Sequence, residues 1–116
     1  MMRSIHNHEY RLLLGFMQQV REALGVTQSM LAQRLRTTQS YVSKCERGER
    51  RIDVIEYVRY CDALGVDAGV LMDVFLDCRL DGAGDRASIL DTLLRKSRRR
   101  LRARALSDVS AQATES

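Results

Sequence analysis

Three observations predict an all-α fold: a compact five-helix domain followed by a helical, Arg-rich extension. The 116 residues include no proline, so the strongest helix breaker is absent. Apolar residues recur every three to four positions, and the strict alternation of a half-buried strand is missing. Charge is also segregated. Residues 1–51 hold nine Lys/Arg and four acids, residues 52–94 hold three and nine, and residues 95–104 hold seven basic residues and no acid. The expected organisation is an N-terminal arm over residues 1–8, the domain over 9–80, a hinge over 81–87, a basic helical extension over 88–106 and a disordered tail over 107–116.

The first helix is expected from Glu9 to Leu24, with Leu13, Met17, Val20 and Leu24 inward and Gly25 as its stop. Thr27 suits the N-cap of a second helix with Met30, Leu31 and Leu35 inward and Ala32 small enough to let another helix cross closely. After Leu35 the period breaks. Thr37 and Thr38 offer a second cap for a third helix, Gln39 to Arg47, with Val42 and Cys45 inward and Gly48 after its end. Asp53 caps a fourth, with Val54, Val58, Cys61 and Leu64 inward and Gly65 closing it. A fifth follows from Asp67. Its Val70, Leu71, Val74, Phe75 and Leu76, together with Ile55, Tyr57 and Tyr60, give more apolar surface than one core stripe needs, which either fills a small core or meets a partner. Asp81 to Asp85 break the pattern and read as a hinge, and Ser88 is placed to cap a further helix with Ile89, Leu90, Leu93 and Leu94 on its apolar face.

The third helix carries the chemistry. Its outward face shows the amide of Gln39, the hydroxyls of Ser40 and Ser43 and the ammonium of Lys44, groups that match the donors and acceptors of base edges in the major groove. A solvated helix face would show the same residue types, so composition leaves both readings open.

Longer motifs narrow the choice. Thr27-Gln28, Leu31-Ala32, the run Thr38-Gln39-Ser40-Tyr41-Val42-Ser43-Lys44, the run Glu46-Arg47-Gly48-Glu49-Arg50-Arg51, and Val54 to Val66 ending Ala63-Leu64-Gly65-Val66 resemble the helix-turn-helix of the Xre family, the phage-repressor and Cro-like regulators. The resemblance covers about residues 9 to 76. It implies a homodimeric regulator, a repressor of bacterial or phage type, that binds a double-stranded DNA operator with inverted half-sites. Base contacts are implied for Thr38, Gln39, Ser40, Ser43 and Lys44, and phosphate contacts for Gln28, Arg47, Arg50 and Arg51. A structural ion pair is implied between Arg21 and Glu46, and dimerisation through the fifth helix and the apolar residues after the hinge, at Val70, Val74, Phe75, Leu90 and Leu93. One departure stands out. The turn between helices two and three usually carries glycine where this chain has Arg36, so either the turn takes another conformation or the guanidinium compensates by reaching a phosphate.

The basic run adds Arg95, Arg98, Arg99, Arg100 and Arg102 as further candidate DNA contacts. A second function class is protein interaction, because related domains act as antitoxins that bind a toxin or as bridging factors to the transcription machinery, and the hinge and C-terminal segment would then bind the partner protein. A restriction-modification controller is a third reading within the DNA-binding class. No apolar run approaches the roughly 20 residues needed to span a bilayer, and the N-terminus lacks the apolar core of a signal peptide, so a cytoplasmic protein with no membrane partner is expected. Cys45, Cys61 and Cys78 form no CxxC pair and read as thiols in a reducing compartment, Cys78 being the one open to redox chemistry. His6 and His8 lack further ligands at fixed spacing, so neither metal nor cofactor is expected. No nucleotide-binding glycine loop, nucleophile elbow or carboxylate pair beside a nucleophile is present, so no catalysis is expected.

Overall fold

The computed structural model describes residues 3–81 and 86–115, with side chains described over 8–78 and 87–108. Among the described residues every regular element is a helix: α1 (Arg3–Ala23), α2 (Gln28–Leu35), α3 (Gln39–Glu46), α4 (Val54–Leu64), α5 (Ala68–Asp81) and α6 (Arg86–Glu115). No helix among these residues is long and apolar enough to cross a membrane. The chain divides into two units, residues 1–64 and 65–116. His6 lies outside the described side chains, and residues 82–85 of the hinge expected over 81–87 lie outside the described backbone, while Asp81 ends α5 and residues 86 and 87 begin α6.

In the first unit α3 packs on α1 and α2, and α2 also packs on α4. Leu14, Met17 and Val20 of α1, Leu31 and Ala32 of α2, Val42 and Cys45 of α3, and Tyr60, Cys61 and Leu64 of α4 are buried. Fully burying a side chain the size of Met17, Leu31 or Val42 stabilises the fold by about 2 kcal/mol over leaving it in water. The stripe on α1 runs through Leu14 rather than Leu13, which is half-buried along with Leu24. Two further expectations are corrected. Met30 is exposed, because Leu31, Ala32 and Leu35 already span the inward arc of a two-turn helix. On α4, Val54 is 76% exposed, Ile55 61%, and Val58 is exposed as well. Side chains lean toward a helix's N-terminus, so Val54, at the first position of α4, has no preceding turn to cover, and Val58 repeats its direction four residues on.

In the second unit α5 and α6 pack together. Val66, Val70, Leu71, Val74, Phe75 and Leu93 are buried, and Leu90 is half-buried. This corrects the expected dimer surface: the residues assigned to it, Val70, Val74, Phe75, Leu90 and Leu93, are covered within the chain, Leu93 completely. Asp67 caps α5 by accepting from the Val70 N–H at 2.9 Å, and its own N–H donates to the Ser97 hydroxyl of α6. No hydrogen-bond donor is aligned with Asp67 Oδ2, but Arg104 Nη1 lies 3.0 Å from it and supplies the opposing charge. α6 begins at Arg86, so Ser88 is a helix residue rather than its cap. It runs to Glu115 through the segment expected as a disordered tail, and α1 begins at Arg3 within the expected arm. Both stretches lack glycine and proline, the residues that would have stopped a helix.

Candidate nucleic-acid interface

Two short helices and a tight turn form the frame. Thr27 Oγ1 accepts from the Met30 N–H and Thr38 Oγ1 from the Tyr41 N–H, both at 3.1 Å, so α2 and α3 each start on a threonine N-cap. The ends match too. At α3 the Glu49 N–H reaches Lys44 O at 2.9 Å and the Gly48 N–H reaches Cys45 O at 3.1 Å, a Schellman closure with Gly48 at φ 77°. At α2 the same pair of bonds runs from Thr37 to Ala32 O at 2.9 Å and from Arg36 to Gln33 O at 3.1 Å, with Arg36 at φ 58° and ψ 45°. Arg36 therefore takes the left-handed conformation itself, the first of the two alternatives being excluded. A Cβ there costs about 1 kcal/mol. Arg36→Gly should raise the free energy of urea unfolding by about 0.5–1 kcal/mol, while weakening DNA binding if the exposed guanidinium holds a phosphate. A less stable glycine variant would contradict the strain assignment.

Behind α3 a buried ion pair fixes its register. Arg21 Nε donates to Glu46 Oε2 at 2.6 Å and Nη2 to Oε1 at 3.0 Å, and Nη1 closes on Val26 O at 2.7 Å. Glu46 also accepts from Gln28 Nε2 at 2.8 Å and from the Tyr60 hydroxyl at 2.8 Å. Burial is the largest single influence on the Glu46 carboxyl and opposes its charge. The hydrogen bonds from Arg21, Gln28 and Tyr60 together outweigh it, and the carboxyl is held below its ordinary range. The Glu46 hydrogen bond in turn raises Arg21 against the opposing effect of burial. Burial first, and the Glu46 charge second, push the Tyr60 hydroxyl up. The network continues outward, since Gln39 Nε2 donates to Gln28 Oε1 at 2.9 Å. Gln28, expected at a phosphate, thus has both amide atoms engaged inside the protein and orients Gln39, whose Oε1 and second N–H stay available.

At the other end of α3 lies a cluster built around Glu56. Asp53 and Glu56 form a reciprocal capping box, with the Glu56 N–H on Asp53 Oδ1 at 2.7 Å and the Asp53 N–H on Glu56 Oε1 at 3.1 Å. Glu56 Oε2 takes the Tyr41 hydroxyl and Arg50 Nη2, the latter at 3.2 Å, and the Arg50 guanidinium stacks 4.8 Å from the Tyr41 ring centroid. Burial, aided by the Glu56 bond, pushes the Tyr41 hydroxyl up to about 12, so it remains a donor. The Tyr41 hydroxyl and the Asp53 N–H hold the Glu56 carboxyl below its ordinary range. Arg50 is therefore a held side chain. Arg51 sits 6.0 Å from the Tyr10 ring centroid, and Arg47 pairs with Glu49 at 3.0 Å on the surface. Ser40 and Lys44 are exposed and Ser43 is half-buried; the Thr38 hydroxyl is engaged in its cap. The Gln28–Gln39 link and the Tyr41–Arg50–Glu56 cluster escape sequence reasoning, although the Asp53-x-x-Glu56 spacing signals the capping box.

On α6, Arg95, Arg98 and Arg102 recur at three and four residues on one exposed face, Arg95 paired with Asp91 at 3.2 Å. Lys96, Arg99 and Arg100 instead line a groove with Asp73 and Asp77 of α5. The expected DNA-contact set thus splits between an open face and one opposed by acids. His8 is exposed, and no group of three metal-ligating side chains occurs among the described residues.

Residues 12–75 match the family model described as a helix-turn-helix domain. Among solved structures the chain is similar to an XRE-family like protein from Pseudomonas syringae pv. tomato str. DC3000, with 43% identity and a TM-score of 0.61 over 65% of this chain and 92% of that one. No curated protein gives a significant match.

Proposed function

This chain belongs to the helix-turn-helix domain family, of Xre type, and is a DNA-binding regulator; we propose that it is a sequence-specific, homodimeric repressor that inserts α3 into the major groove of an operator with inverted half-sites. The observation that carries this reading is the state of α3. Its inward side is locked by the Arg21–Glu46 pair, while Gln39, Ser40 and Lys44 stand exposed at its outward side. The Lys44 ammonium makes no hydrogen bond or ion pair among the described residues. Binding to a guanine O6/N7 edge therefore breaks no internal interaction of Lys44, and Gln39 arrives already oriented for an adenine edge. Arg36, Arg47 and Arg51 supply phosphate contacts that set position without reading sequence.

Since Val70, Leu71, Val74 and Phe75 of α5 are buried and Leu76 alone of its expected apolar set is exposed, the second copy is assigned to the more exposed Val54 and Ile55 of α4. The same two side chains favour a second reading, an antitoxin or bridging module, in which a protein partner covers them. Arg95, Arg98 and Arg102 add non-specific phosphate affinity.

Selection of duplexes from a random pool by the full chain tests the function. The expected product is one enriched sequence with half-sites about one turn, ~34 Å, apart. No enrichment would contradict sequence-specific binding, and a single asymmetric site would contradict the dimer. On the enriched duplex, replacing Arg95, Arg98 and Arg102 with Gln should flatten the slope of log K against log salt by about 0.9 for each phosphate that an arginine no longer neutralises. Substitution is cleaner than truncation, which would also remove Ser97 and Arg104 from Asp67. An unchanged slope would take the tail off the DNA.

A further inference from the structure

We propose that the cavity on the inward side of α3 is a binding site for a small aromatic monocarboxylate. The cavity measures about 230 Å³ and opens among α3, α4 and the residues that follow α2. Leu35, Val42 and Ile52 give it apolar walls, Cys45 contributes to the wall from α3, and Thr37 and Arg59 supply polar groups. An apolar cavity of about 150 Å³ accommodates a benzene ring, so this one has room for a ring bearing one further small group.

The charge of that group follows from which polar neighbours are already engaged. Glu56 lines the cavity, but its oxygens accept from the Tyr41 hydroxyl, from Arg50 and from the Asp53 N–H. A cationic ligand would have to displace Arg50 from it. Tyr60 directs its hydroxyl to Glu46. Arg59 and the Thr37 hydroxyl, in contrast, make no hydrogen bond or ion pair among the described residues. Both line the cavity, and a guanidinium and a hydroxyl are donors of the kind that receive a carboxylate through charge-assisted hydrogen bonds, while the ring replaces water against Leu35, Val42 and Ile52. Pockets of this make-up, apolar walls with few convergent polar groups, are the usual form of small-molecule sites.

Calorimetric titration of the full chain, without DNA, with benzoate, benzamide and benzylamine tests the assignment independently of the DNA-binding role. Benzoate is expected to bind at least tenfold more tightly than benzamide, with benzylamine weaker still. Arg59→Gln should lose at least tenfold in benzoate affinity and much less in benzamide affinity, while leaving the melting temperature of the free protein unchanged, because the Arg59 side chain is exposed and unpaired. Absence of benzoate binding at millimolar concentration, equal affinity for benzoate and benzamide, preference for benzylamine, or unaltered benzoate affinity in Arg59→Gln would each overturn the proposal.

Discussion

Glu46→Ala is expected to cost about 3–5 kcal/mol of folding stability, because it strands the buried Arg21 guanidinium without its counter-charge. Urea unfolding measures this directly as a lower midpoint. The loss reports an uncompensated charge rather than the net worth of the pair. Replacing Arg21 and Glu46 together by Met and Leu should therefore recover much of it, and a double-mutant cycle isolates the coupling. Acidity gives the same answer by another route. The Glu46 carboxyl is held below its ordinary value of 4.5 in the folded protein, so its stabilisation is complete above that value and disappears as pH falls through the lower folded value. The deficit of Glu46→Gln relative to the unaltered chain should accordingly shrink as the solution is acidified through this window. A cost below about 1 kcal/mol for Glu46→Ala would place the pair with ordinary surface ion pairs and remove it as the anchor of α3.

Much of this architecture was legible because single residues carry it. Thr27, Thr38 and Asp53 cap their helices as their side-chain chemistry requires, and Gly25, Gly48 and Gly65 hold the positive φ at which helices one, three and four end. The Arg21–Glu46 pair was available from resemblance alone, since 25 residues separate its members and no periodicity links them. Less legible was what depends on tertiary neighbours. Val54 and Val58 have the spacing of an inward stripe, yet Tyr60, Cys61 and Leu64 occupy the arc of α4 that the core covers. The apolar excess of α5 resembles an interface because the sequence cannot say that α5 and α6 pack together and that Val70, Leu71, Val74 and Phe75 are buried, leaving Leu76 exposed. Arg50 read as a free phosphate ligand, as Arg47 did, whereas Tyr41 and Glu56 hold it.

The reading of bases by α3 is the claim on which the functional account rests, and Lys44 and Gln39 test it with the second-largest expected effect. Gln39 is pre-oriented by Gln28, and Lys44 projects from the helix unpaired, so each is set to make contacts realised on the correct base pair alone. A good base contact of this kind discriminates by about 1–3 kcal/mol, or roughly five- to 150-fold in affinity. Non-specific binding rests on phosphates and is nearly indifferent to either side chain. The decisive measurement is the affinity of the unaltered chain, Gln39→Ala and Lys44→Ala for the selected duplex and for a random duplex at one fixed salt concentration. Each variant is expected to lose about 1–3 kcal/mol on the selected duplex and almost nothing on the random one. Equal losses on both duplexes, or none on either, would contradict the insertion of α3 into the major groove.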